Sequence, residues 1–158
     1  MYSVIRGHAG LDPEQQDGSL RATIHRVINP KRPEELEQLI PYLGDSGGEV
    51  GRHFSVRSGI IGRAVREKAV LAATRTSDDY EAFVRELVVG WAFTDADARA
   101  LRPDRKAWMA VPIFGTKRTV IAVLFFDSSV ADFFSAELQQ VITNGSLGLT
   151  NFVEEAYT

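Results

Sequence analysis

The chain has 158 residues, 44% of them hydrophobic and 25% charged, which is enough to bury the core of one globular domain. Its net charge of -3 argues against nucleic acid and anionic membranes as partners, and no apolar run approaches the length of a membrane-spanning helix. Cysteine is absent, which excludes disulfides, thiolate catalysis, thiolate metal sites and thioether attachment of a chromophore, and fits a cytoplasmic protein.

Residues 1–19 hold Gly7, Gly10, Asp12-Pro13 and Gly18 and read as an N-terminal linker. The few apolar residues at its start are expected to be the tail of a helix from a longer protein. Residues 20–158 then form a single domain that includes the C-terminal helix. Leu20 to Ile28 is the first strand, with an imperfect alternation that puts His25 on its more polar, outward face. Asn29 to Pro33 is a turn. Glu34 to Leu43 has helix formers first and Pro41 late, and its pattern leaves helix and strand open. Gly44 to Gly51 is a glycine-rich loop. Ser58 is a good N-cap for a helix through Lys68, and Ala69 to Ala72 is a short strand.

After a polar loop, Asp78 or Asp79 caps a helix over Tyr80 to Val89. Trp91-Ala92-Phe93 is an aromatic cluster, and Thr94 starts a short helix over Asp95 to Leu101. Arg99, Arg102, Arg105 and Lys106 read as a solvated basic face. Two apolar runs follow, joined by Gly115-Thr116-Lys117-Arg118, a turn of the length that joins antiparallel strands. The second run, Val120 to Phe126, has no polar residue and is expected to be covered on both faces, with Asp127-Ser128-Ser129 ending it. Pro112 requires its strand to be an edge or to carry a bulge. Ser135 caps a last helix to Tyr157, which Gly145 and Gly148 weaken locally.

Two of these stretches carry a resemblance. The hairpin with Val111-Pro112, a glycine turn and a strand ending in Asp127 resembles the sheet core of GAF domains. Ser58-Gly59-Ile60-Ile61-Gly62-Arg63-Ala64 resembles the G-(I/L)-x-G-x-A helix that precedes a short strand in that family, in the same order. The resemblance implies an α+β, GAF-like (PAS-related) fold, a central antiparallel β-sheet flanked by helices on both faces. It also implies that Glu34 to Leu43 is a strand. By the same resemblance the chain is a non-catalytic sensory domain that binds a small molecule between sheet and crossover helices and signals through its terminal helices. The alternative is a ligand-free dimerisation or docking module. A homodimer is expected, beside an output domain or a separate partner.

Catalytic chemistry is thin. There is no G-x-S-x-G elbow, Walker loop or H-E-x-x-H, and His8, His25 and His53 share no metal-ligand spacing, so neither a catalytic set nor a metal site is expected. Gly59 to Gly62 lacks the pattern of a dinucleotide fingerprint and reads as packing. Trp91, Phe93 and Trp108 fall where the family's ligand lies, and Arg52 and His53 are available for a polar or anionic group; these five are the expected ligand-binding residues. The ligand itself is unidentified. A covalently attached bilin and the family's free-methionine-sulfoxide reductase chemistry both call for a cysteine, and the cyclic-nucleotide signature does not align.

Overall fold

The computed structural model describes residues 1–15, 17–45 and 47–157; Gln16 and Ser46, in stretches read as loop, and Thr158 lie outside them. In chain order the elements are α1 (Tyr2–His8), β1 (Leu20–Ile28), β2 (Glu35–Gln38), β3 (His53–Ser55), α2 (Gly59–Glu67) and β4 (Leu71–Thr74), then α3 (Tyr80–Trp91), α4 (Asp95–Ala100), β5 (Ala107–Phe114), β6 (Val120–Ser128), α5 (Ala136–Ser146) and α6 (Leu149–Tyr157). The strands form one sheet in the order β3-β2-β1-β6-β5-β4, every neighbouring pair antiparallel. The fold is α+β, with helices on both faces.

β6, apolar from Val120 to Phe126, lies at the centre between β1 and β5 and is buried along its whole length. The strand runs on through Asp127 and Ser128, which are buried and paired rather than forming a turn. β1 is likewise covered on both faces, which corrects the outward placing of His25: that residue is fully buried. Pro112 is accommodated because β4 pairs only with Ala107 to Ala110, so at Pro112 the strand has β6 alone beside it. The register shifts one residue later, between Ile113 and Phe114. Glu35–Gln38 is a strand, since Leu36 and Gln38 bury on the pleat while Glu35 stays exposed.

Alternation divides the hairpin's side chains between two layers. Met109, Val111, Ile113, Leu124 and Phe126 pack with Ile5 of α1, Leu138 and Ile142 of α5 and Val153 of α6. Ala110, Val123 and Phe125 face Ile60, Ala64 and Val65 of α2, and Trp108 joins Phe83 and Leu87 of α3. The glycines of the α2 motif serve close packing. A Cβ on Gly62 would stand 2.5 Å from the Val56 carbonyl oxygen, and one on Gly59, whose φ is +72°, would stand 2.8 Å from the Phe93 ring. Asp79 and Ser135 cap α3 and α5, accepting from Ala82 N at 2.8 Å and Leu138 N at 3.2 Å. The terminal helix is two helices, broken at Leu147 and Gly148. Ile5 of α1 is buried within the same core as the sheet.

Candidate functional site

Antiparallel register sets Arg21 of β1 opposite Asp127 of β6, Thr23 opposite Phe125 and His25 opposite Val123, all on the face toward α2 and α3. The first pair is a buried, two-pronged ion pair: Arg21 Nε donates to Asp127 Oδ1 at 2.9 Å and Nη2 to Oδ2 at 2.7 Å. Arg105, also buried, donates from Nη1 to Asp127 Oδ1 at 3.2 Å and to the Gly18 carbonyl at 2.7 Å. The basic residues of this stretch are therefore not one solvated face. Arg99 is exposed and pairs with Glu81 and Asp95, whereas Arg105 is folded inward by Asp127.

This ion cluster lines a cavity of about 130 Å³ between the sheet and α2. Phe54, Phe93, Trp108 and Phe125 form its apolar walls, and Tyr42 and His25 complete it. Trp108 is held flat against Phe83, centroids 5.8 Å apart and planes 10° from parallel. The Arg21 guanidinium lies 4.2 Å over the Tyr42 ring. Arg102, from the α4–β5 loop, lines the cavity and pairs with Asp45 in the β2–β3 loop and with Asp104 at 2.9 Å.

Burial governs the ionisation here. It pushes the Tyr42 phenol up to about 12, with the Asp127 charge adding to it. It pushes the His25 imidazole down to about 4, with the Arg52 charge adding to it. His25 is therefore neutral at pH 7, one ring nitrogen a donor and the other an acceptor. Burial also opposes charge on Arg21, but the hydrogen bonds and charge of Asp127 outweigh it and raise the group. The side-chain hydrogen bond from Arg105 holds Asp104 well below the usual carboxylate range.

The five residues expected at a site divide. Phe93 and Trp108 line the cavity. Trp91 lies in an adjoining narrow crevice with Leu87 and the far side of Trp108, the Arg63 guanidinium 5.2 Å over its ring. Arg52 and His53 are exposed at the sheet edge and do not line the cavity. The pleat of β3 turns Phe54 inward and His53 outward, where its Nδ1 lies 3.1 Å from Glu35. Among the cavity's polar residues, Arg21, His25, Tyr42 and Arg105 carried no signal beyond their type, and Asp127 was marked only as the end of the second hairpin strand. Arg21 and Asp127 stand 106 positions apart, and only the β1–β6 register joins them. Among the described residues no cluster of three or more His, Cys, Asp or Glu has the arrangement of a metal site. No helix among them is long and apolar enough to cross a membrane.

No family model matches the chain, and no curated protein does. Solved structures do. Type II free methionine-R-sulfoxide reductase from Thermoplasma acidophilum superposes with a TM-score of 0.62 at 13% identity, over 99% of this chain and 94% of that one. The GAF domain of a two-component sensor histidine kinase from Bacillus halodurans gives 0.61 at 14%, over 85% and 81%. The GAF domain region of a putative membrane protein from Geobacter sulfurreducens gives 0.60 at 18%, over 87% and 82%. At these identities the likeness establishes a GAF-like fold. It also corrects the expectation of a non-catalytic domain: that inference came from fold resemblance, and the same fold is shared with a reductase.

Proposed function

We propose that this protein is a sensory or regulatory domain that binds a small molecule in the cavity between the sheet and α2. The observation that carries the reading is the cavity itself: aromatic walls from Phe54, Phe93, Trp108 and Phe125 and a buried Arg21–Asp127–Arg105 cluster in its lining. Apolar enclosure with a few fixed polar groups is the usual composition of a ligand site. A space of about 130 Å³ is near the size that admits a single aromatic ring. Phe93 and Trp108 are the wall residues we assign to binding. Trp91 supports Trp108 from behind, and Arg52 and His53 flank the site from the β3 edge.

A polar path supports signalling from this cavity to the terminal helices. Asp127 holds Arg105, Arg105 holds the Gly18 carbonyl, and the neighbouring Ser19 and Asp17 hold Arg6 of α1 at 3.4 and 3.2 Å. α1 in turn packs on α5. A ligand that favours one arrangement of the cluster biases the position of α1 by its differential affinity for the two arrangements. Val4 of α1, Leu147 at the break between α5 and α6 and Phe152 of α6, 56%, 74% and 55% exposed, support a homodimer formed through the terminal helices. The same face would serve a separate partner or an output domain. The lack of cysteine fits a reducing compartment such as the cytoplasm.

The test is a thermal-shift screen of purines, amino acids, 2-oxo acids, cyclic nucleotides, haem and bilins, with native mass spectrometry for a co-purified ligand. A ligand at a hundred times its dissociation constant adds about 2.7 kcal/mol to the folded state. Contact with Trp108 changes its fluorescence, and Trp108→Ala removes both signals. A hit unaffected by Trp108→Ala puts the ligand elsewhere. Native mass spectrometry also reads the dimer, which Phe152→Asp converts to monomer.

A further inference from the structure

Three buried polar atoms without partners stand together at one wall of the cavity, two on His25, which lines it, and one on Gln38, beside His25 and just outside the lining. His25 is fully buried, lines the cavity, and neither its Nδ1 nor its Nε2 meets a hydrogen-bonding group. Gln38 is its directly paired neighbour on β2, on the same face of the sheet, and is also fully buried. Its Nε2 donates to the Ile40 carbonyl at 2.8 Å, which fixes the amide orientation and leaves Oε1 unpaired. Cross-strand partners stand about 5 Å apart at Cβ. Buried polar atoms in native proteins are almost always satisfied, and each exception calls for a reason. Arg6 Nη2 is one such exception elsewhere, but His25 and Gln38 are cross-strand partners, and His25 lines a cavity.

The histidine is not held there by packing chemistry alone. Its ring meets Phe54 edge-on at 5.1 Å and Phe125 at 6.5 Å, contacts that orient the imidazole and that phenylalanine would supply as well. The cavity's own charges are matched, since Arg21, Arg105 and Arg102 are set against Asp127, Asp104 and Asp45, and the Arg52 charge that acts on His25 lies at the exposed sheet edge, outside the lining. What is missing at His25 and Gln38 is therefore hydrogen bonding without charge.

Resting on the reading of the cavity as a ligand site, we infer that His25 and Gln38 form its polar anchor, for a neutral group that both donates and accepts hydrogen bonds: a carboxamide, a lactam or the amino-imino edge of a heterocycle. The inventory of vacant valences sets that class. Gln38 Oε1 and the bare nitrogen of a neutral imidazole both need donors, and the imidazole N–H needs an acceptor. An amide supplies two N–H groups and one carbonyl. A carboxylate supplies no donor and sets its charge against two lone pairs in a buried site. Phe93 and Trp108 then receive the flat body of the ligand.

Three phenyl probes separate this class from the site itself: toluene, benzamide and benzoate, titrated by tryptophan fluorescence and by nitrogen-15 NMR of the His25 ring. Benzamide is expected to bind at least tenfold tighter than either other probe and to move both ring-nitrogen resonances. His25→Phe and Gln38→Met are each expected to reduce benzamide to the toluene level while toluene still binds. Toluene and benzamide binding equally, or benzamide leaving the His25 nitrogens unmoved, overturns the anchor and spares the cavity. Benzoate binding as well as benzamide overturns the neutral class. Failure of all three at millimolar concentration overturns the cavity as a ligand site, and the anchor with it. The NMR readout is made on the unaltered protein, so it decides even where a variant fails to fold.

Discussion

The two faces of this sheet are built to different rules. Toward the terminal helices, β1, β5 and β6 present Ala22, Ile24, Met109, Val111, Leu124 and Phe126, a dry layer packed on α1, α5 and α6. Toward α2 and α3 the same strands present Arg21, His25 and Asp127 among Val123, Phe125 and Trp108, and the layer encloses a cavity. Strand alternation makes these layers from alternate residues of one stretch, so β6 reads as uniformly apolar up to Asp127 while serving two tasks. The dry face supplies stability by burial and tolerates little loss of volume. The polar face gives up part of that stability: an ion cluster in a buried site roughly offsets its own desolvation, and an unpaired histidine works against folding. Such a face fits selection for binding rather than for stability.

Removing Asp127 breaks this comparison most severely. Asp127→Ala leaves Arg21 and Arg105 buried without a counter-charge, and a loss of about 3–5 kcal/mol is expected from urea denaturation. A loss below 1 kcal/mol would show that water reaches the cluster. On the dry face, Leu124→Ala is expected to cost about 2–5 kcal/mol through lost transfer energy and the hole left behind. The cost should be the same with and without a cavity ligand, because Leu124 points away from it.

The pH dependence sharpens the contrast. His25 has a folded pKa of about 4 against an ordinary value near 6.5, so its folded form excludes the proton. The stability this confers is complete above pH 6.5 and is lost as pH falls toward 4, by roughly 3 kcal/mol in total. Denaturation midpoints from pH 7 to 4 should show that decline, and His25→Phe should remove it. The same variant should be as stable as the parent or more so at pH 7, since it deletes two unpaired polar atoms and keeps a ring between Phe54 and Phe125. A parent protein with a flat profile would place His25 in contact with water. The smallest effect belongs to the terminal helices: Ser135→Ala removes the cap of α5 and should lower stability by about 1 kcal/mol, read by urea denaturation.

Local chemistry was legible in the chain alone. The uninterrupted Val120 to Phe126 and the turn at Gly115 to Arg118 dictate a doubly covered hairpin. Asp79 and Ser135 dictate where α3 and α5 begin, because a short side-chain oxygen satisfies a free helix N–H wherever the helix lies. Gly59 and Gly62 forecast close packing, and Phe93 and Trp108 were legible as large aromatics near one segment. The polar end of the cavity was not. His25 looks outward on alternation, because a period of two says which residues share a face but not whether that face is wet, and packed layers on both sides of the sheet cover both faces of β1. Arg52 and His53 looked as suitable as Arg21 and Arg105, since residue type and a nearby glycine loop are all that a sequence offers. The register of β1 against β6 and the burial of Arg105 beneath Asp127 chose between them. Those contacts join segments 22 and 106 residues apart, and only the assembled sheet brings them within hydrogen-bonding reach.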